Sequence, residues 1–311
     1  MGVFHAYDIR GIYGKDLLPE DIYKMGLFLP SVLKTKRIAV GRDCRESSPE
    51  AFKYLVRGLC DAGTNVFDLG MATTTMVYYA TSKHHFDGSV QITASHNGAE
   101  YNGLKVSGRE AMPIGYDNGL KELEDCVLHK VPVITEKRGT VTQLDLRDEY
   151  FSYLSAFVPH LKGLRVGIDV SNGMAGLFVK KLLGTENVFY INEEPDGRFP
   201  NHAPNPLVPE NIKQLQELVR NRQCDLGIIF DGDADRVMFT DEKGMFISPD
   251  LIIALLGHHF LDGKPARVLQ DIRSSKAVGE YLSPMGAHMH TWRVGRAFAA
   301  PKLKELSLIH I

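Results

Sequence analysis

The sequence has no run of apolar residues long enough to cross a bilayer. Its first residues, MGVFHAYDIRG, lack the basic segment and following apolar stretch of a secretory leader, and Ala6 breaks a myristoylation signal. Cysteine is scarce. Cys44, Cys60, Cys126 and Cys224 are widely scattered with no C-x-x-C pair, which argues against a metal finger or a disulfide framework and predicts reduced thiols in a cytoplasmic protein. An excess of one charge is also missing: a formal net charge of -2 provides no global field for nucleic acid or anionic lipid, so neither is expected as a partner.

What is present is a chain of 311 residues, 44% apolar and 24% charged, long enough for two or three domains. Short β-rich runs alternate with amphipathic helical stretches, which predicts α/β domains with mixed, largely parallel sheets flanked by helices. One unit recurs. RIAVGRD (37–43) leads through a polar loop to the helix SPEAFKYLVRGLCDAG (48–63) and the strand NVFDLG; LRVGID (164–169) leads through SNGMAG to GLFVKKLLG and NVFYIN; ARVLQD (266–271) leads to GEYLSPMGA and HMHTW. The strand-end acids Asp43, Asp169 and Asp271, 126 and 102 residues apart, mark equivalent positions in three tandem domains, 1–145, 146–246 and 247–311. The third is expected to be incomplete, because the chain stops at LSLIHI. SNGMAG lacks the Walker lysine and the full Rossmann glycine spacing, so it reads as a tight turn before a helix.

The most specific local pattern is CDLGIIFDGDADRVMFTD (224–241), an apolar strand running into three acids within five residues, Asp231, Asp233 and Asp235. Carboxylates about 4 Å apart repel by roughly 4 kcal/mol at an effective dielectric near 20, so their convergence calls for a cation. All-oxygen ligation favours magnesium, manganese or calcium. A calcium-binding EF-hand would also place acids at positions 1, 3 and 5, with Glu242 at position 12, but Arg236 occupies the position that needs glycine and both flanks read as strands.

A second pattern, GSVQITASHNGAEYNGLKV (88–106), delivers Ser95 to a loop with His96, Asn97, Asn102 and Lys105. No nucleophile elbow surrounds Ser95, and His96, as its neighbour in an extended chain, points the opposite way and is a poor general base for it. AYDIRG (6–11) places Arg10 in a glycine-ended loop. GRDCRESS (41–48) sets Arg42 and Arg45 beside serines at a helix start, which suits an anion or ordinary capping.

Taken in order, AYDIRG, GRDCRESS, TASHN with YNGLK, and DGDADR resemble the α-D-phosphohexomutase family, and the AYDIRG start and the tyrosine before NG resemble its phosphomannomutase/phosphoglucomutase branch. The resemblance implies an intramolecular phosphotransferase that interconverts hexose 1-phosphate and hexose 6-phosphate through a phosphoserine and a hexose 1,6-bisphosphate. It implies that Ser95 carries the phosphate and that Asp231, Asp233, Asp235 and a phosphate oxygen on Ser95 hold Mg²⁺. Arg10 and Arg236 would face the phosphate, Lys105 and His96 would assist proton transfer, and Arg42, Arg45, Asn97 and Arg296 would contact substrate or its phosphates. Gly98 stands where the family has proline, which predicts a looser phosphoserine loop. Arg296 stands where the family has histidine. The resemblance also implies a sugar-reading loop and a phosphate-clamping fourth domain beyond the last residue, so weak turnover is expected of this chain. The competing reading is a non-catalytic fragment or sugar-phosphate-binding homologue.

Overall fold

The computed structural model describes residues 2–158 and 161–306, and the backbone of 309–310. The chain forms two units, one ending at Met245 and the other beginning at Phe246. In the first unit, β1 (Ile9–Ile12), α1 (Pro19–Leu33), β2 (Arg37–Arg42), α2 (Ser48–Asp61), β3 (Asn65–Met71), α3 (Thr74–Lys83), β4 (Gly88–Ile92), β5 (Tyr101–Gly108), α4 (Leu120–His129) and β6 (Val141–Gln143) build a six-stranded sheet in the order β1-β5-β4-β2-β3-β6. The pairs β2/β3, β2/β4 and β3/β6 are parallel, while β5 runs antiparallel to β1 and β4.

Side-chain alternation explains the layering. Ile38 and Val40 of β2 point into a core with Ile22, Met25 and Leu29 of α1 and Leu55 and Leu59 of α2, whereas Ala39 between them joins Met76, Val77 and Ala80 of α3 on the opposite face. A sheet covered on both sides buries its central strands entirely, and every residue of β4 is buried. α1 and α2 cross closely enough that a Cβ on Gly58 would lie 2.1 Å from the Tyr23 carbonyl oxygen, and one on Gly26 2.3 Å from that of Leu55. The polar stretch between the first two repeats contains β6, whose three residues are all exposed, so no hydrophobic alternation announces it.

The unit continues with α5 (Arg147–Ser155), β7 (Val166–Asp169), α6 (Val179–Leu183), β8 (Val188–Ile191), α7 (Lys213–Arg222), β9 (Leu226–Phe230) and β10 (Val237–Thr240). Here β10, β9, β7 and β8 pair in that order, with β7 parallel to both β8 and β9 and β10 antiparallel to β9. Ile168 packs with Val179 and Val188 in one cluster, and Ile229 packs with Leu215 and Val219 of α7 in another. The second unit holds β11 (Phe246–Ile247), α8 (Pro249–Leu261), β12 (Ala266–Asp271), α9 (Lys276–Leu282), β13 (Ala287–Trp292), α10 (Arg296–Leu306) and β14 (Ile309–His310). Its sheet β13-β12-β14 is parallel, over a core of Leu261, Val268, Val278, Leu282 and Ala287. These are the mixed, helix-flanked α/β sheets expected. No helix among the described residues is long and apolar enough to cross a membrane.

Candidate active site

Two loops at strand C-termini meet in the first unit. One follows β4 and carries Ser95; the other joins β9 to β10 and carries the three aspartates. Loops at the carboxyl ends of parallel strands are the usual ligand position in α/β sheets. Gly232 allows the approach, since a Cβ there would stand 2.5 Å from the Ser95 carbonyl oxygen. Ser95 is completely buried and left-handed at φ 53°, a region that costs a residue with a Cβ about 1–2 kcal/mol. Its turn is closed by Ser95 N–H donating to Thr93 Oγ1 at 2.9 Å and Asn97 N–H donating to the Ala94 carbonyl at 3.1 Å. The Ser95 hydroxyl then donates to Asp231 Oδ2 at 3.0 Å, across 136 residues of sequence.

Asp231, Asp233 and Asp235 each offer an oxygen within 4.8 Å of the others. Their flanks are the strands β9 and β10, as the argument against an EF-hand required, and left-handed Ala234 (φ 60°) turns the chain between them. Asp231 Oδ1 accepts the backbone N–H groups of Asp235 and Arg236, both at 3.1 Å. Asp233 divides its oxygens: Oδ2 accepts from Lys105 Nζ and Thr74 Oγ1, each at 2.5 Å, while Oδ1 is buried without a hydrogen-bond partner. Lys105 Nζ also reaches Asp235 Oδ2 at 2.5 Å.

The electrostatics follow from crowding. Burial and the carboxylates of Asp233 and Asp235 push Asp231 well above the usual carboxylate range. Burial alone would raise Asp233 too, but the Lys105 ammonium and the Lys105 and Thr74 hydrogen bonds hold it below that range. Burial would lower Lys105, yet Asp233 and Asp235 outweigh it and keep the ammonium charged. His96 is brought down to about 4 by burial and by Arg236 and Arg10, and its imidazole is therefore neutral near pH 7.

The four aspartate and serine positions named from sequence thus come together with Lys105. Arg236 joins them, its Nε 3.8 Å from both Asp231 Oδ2 and Asp235 Oδ1. Arg10 reaches the serine loop through Asn97, donating from Nη1 to Asn97 Oδ1 at 2.6 Å; it also pairs with Asp8, and its buried Nε has no hydrogen-bond partner. Three other named residues are engaged otherwise. Arg42 pairs with Asp68 at 3.0 Å and sits over Phe52. The guanidinium of Arg45 is turned wholly into the protein. Arg296 opens α10 in the second unit, lining a cavity of about 470 Å³ with Arg273, Trp292 and Arg293. Thr74 was not picked out from sequence, because a threonine beside the N-cap of α3 reads there only as a helix start.

Two family models match the chain, phosphoglucomutase/phosphomannomutase α/β/α domain I over residues 1–130 and domain II over residues 148–244. A phosphomannomutase of Escherichia coli K12 is 36% identical over 319 residues, a match covering 99% of this chain and 70% of that protein. The chain belongs to the phosphoglucomutase/phosphomannomutase family. A phosphoglucomutase of Neisseria gonorrhoeae is 35% identical over 314 residues, covering 97% of this chain and 67% of its own length. Among solved structures, a phosphoglucomutase/phosphomannomutase family protein of Burkholderia thailandensis superposes with a TM-score of 0.90 at 29% identity, covering 98% of this chain and 69% of that one. The meeting of the Ser95 loop with the aspartate loop therefore lies within the part of the chain that the two family models match.

Proposed function

We propose that this protein is a phosphohexomutase that carries a phosphoryl group on Ser95 and interconverts the 1- and 6-phosphates of a hexose, mannose, glucose or both, in the cytoplasm. The observation that carries the reading is the 3.0 Å hydrogen bond from the Ser95 hydroxyl to Asp231 inside the three-aspartate cluster. Mg²⁺ fits that cluster on two counts: the donors are all oxygen, and Asp233 Oδ1 is a buried lone-pair donor with no other partner. Asp231, Asp233, Asp235 and a phosphate oxygen on Ser95 would hold it. When bound, Mg²⁺ would neutralise the carboxylates and draw charge from the phosphoryl group.

The chain's own residues do the rest. The free hydroxyl of a bound hexose monophosphate attacks phosphorus as the bond from phosphorus to Ser95 Oγ breaks. The hydroxyl proton passes to the neutral imidazole of His96, the Lys105 ammonium assists by balancing the charge left on Ser95 Oγ, and the product is the hexose 1,6-bisphosphate. After the sugar reverses, its other phosphoryl group returns to Ser95 Oγ. Positioning and charge neutralisation dominate such a transfer. Arg10, whose Nε is a buried donor without a partner, and Arg236 suit the phosphoryl oxygens. Asn97 holds Arg10, and the basic cavity of Arg273, Arg293 and Arg296 suits a sugar phosphate. In this reading the catalytic loops come from two domains, 1–145 and 146–246, and a third begins at 247.

Incubation of the chain with glucose 1,6-bisphosphate and Mg²⁺, followed by intact mass spectrometry and peptide mapping, is expected to find one phosphoryl group on Ser95 and none in Ser95→Ala. Phosphate absent from Ser95 in the wild-type chain sinks the reading in favour of a sugar-phosphate-binding homologue.

A further inference from the structure

Arg45 follows strand β2 in a setting that suits an anion, yet every N–H of its guanidinium is already engaged inside the protein. Nε donates to Asp43 Oδ2 at 3.0 Å; Nη1 donates to the carbonyls of Gly98 and, at 3.0 Å, of Tyr101; Nη2 donates to the carbonyls of Ser95 at 3.1 Å and Asn97 at 2.8 Å. That accounts for all five donors an arginine possesses. The flat face of the same group lies over Phe199, 5.0 Å from the ring centroid. Asp43 is fixed in turn, its Oδ1 accepting the Arg45 N–H at 3.1 Å and the Ser48 hydroxyl at 2.6 Å.

We propose that Arg45 is a positioning residue for phosphoryl transfer: it gathers four carbonyls of the 95–101 loop onto one buried cation, with Phe199 bracing its open face, and so holds Ser95 Oγ in register with Asp231. The inference rests on the reading of Ser95 as the phosphate carrier. Four converging carbonyl dipoles repel one another unless a cation lies among them. Lysine supplies the charge but only three donors from a single point, so it cannot serve five acceptors spread around a plane. Ser95 needs the restraint because its backbone occupies the left-handed region, and Gly98, two residues past His96, adds conformational freedom that would otherwise let the loop relax. The looseness expected from Gly98 is countered at its own carbonyl, which Arg45 and the Tyr101 N–H both hold.

The test is the rate at which glucose 1,6-bisphosphate with Mg²⁺ phosphorylates Ser95 in the full chain, read by rapid quench and intact mass. Misplacing a reacting group by about 1 Å costs about 100-fold, so Arg45→Lys is expected to lower the maximal rate about 100-fold while the half-saturating bisphosphate concentration moves less than about threefold. Added guanidinium ion should restore part of the rate to Arg45→Ala, which a loss of global stability would not allow. An Arg45→Lys rate within about threefold of wild type, or a raised half-saturation at unchanged maximal rate, overturns the proposal, the latter by making Arg45 a phosphate contact. A wild-type chain that never takes phosphate overturns this inference together with the reading it rests on; a phosphorylated wild type with an indifferent Arg45 overturns this inference alone. If Arg45 variants fail to fold, Phe199→Leu decides, since losing the ring face should slow phosphorylation about fivefold or more, and an unchanged rate refutes the brace.

Discussion

Thr74 donates its hydroxyl to Asp233 Oδ2 at 2.5 Å, and its own N–H donates to the Asp233 carbonyl at 3.1 Å. With Lys105 on the same oxygen, the carboxylate is held so that Oδ1 alone has no hydrogen-bond partner and, in the proposed reading, faces the metal. Partners that orient a ligand in this way are typically worth about 10–100-fold in metal affinity. Thr74→Val keeps the shape and the backbone bond while removing the hydroxyl, so Mn²⁺ affinity, measured by calorimetry or electron paramagnetic resonance, is expected to fall about 10-fold or more. Affinity unchanged within about twofold would mean that Lys105 orients Asp233 unaided. The three aspartates were legible in sequence because converging carboxylates call for a cation, whereas Ser95 and Lys105 stood out only through the ordered motifs that resemble the phosphohexomutase family. Thr74 did not, because its partner lies 159 residues away and nothing local distinguishes it from a helix-starting threonine.

At the scale of elements, the three strand-end aspartates make the same turn. Asp43 Oδ1 accepts the N–H of Arg45 at 3.1 Å, Asp169 Oδ1 that of Ser171 at 2.9 Å, and Asp271 Oδ1 that of Arg273 at 2.8 Å. An aspartate bonding the backbone two residues on is a local device for turning a chain out of a strand, which is why the repeat could be read from spacing. The sequence did not reveal the rest of the second turn. Asp169 is fully buried and also accepts from Asn192 Nδ2 at 3.0 Å and from His202 Nε2 at 3.0 Å, while His202 Nδ1 faces the Ala203 carbonyl at 2.9 Å. Both ring nitrogens face acceptors, and only the imidazolium carries two N–H groups. Burial disfavours that charge, but Asp169 and the Ala203 carbonyl more than compensate and raise the folded His202 above its ordinary value. The protonated ring is therefore bound more tightly in the folded chain. This contribution is complete below about pH 6.5, the unfolded value, and disappears as pH rises through the folded one. Melting curves from about pH 5.5 to pH 8.5 should show wild type losing its advantage over His202→Gln as pH rises. A constant gap would mean the ring does not change charge in this range.

For the whole molecule, the placement of chemistry and the placement of cores lead to one expectation. Ser95, Arg10, Lys105, Arg236 and the three aspartates all lie before Met245, Arg10 on β1, Lys105 on β5 and the others on loops of the two sheets in that unit. Four of the five apolar clusters among the described residues are drawn from the same segment, and the fifth, around Val268 and Leu282, belongs to the second unit. Leu146, Tyr150 and Phe178 pack on the α3 side of the first sheet with Met76 and Phe86, so the segment after residue 145 contributes directly to the core of the segment before it. Burying a large apolar side chain is worth about 1.5–3 kcal/mol, and several such residues joining the two halves should make them melt together. A chain ending at Met245 is therefore expected to unfold in one cooperative transition and to bind Mn²⁺ within about threefold of the 311-residue chain, because every proposed ligand and the residues hydrogen-bonded to it are retained. Two resolved transitions in the shortened chain would show that the shared cluster is too weak to couple its halves. Metal affinity lost without unfolding would show that residues after Met245 support the aspartate loop.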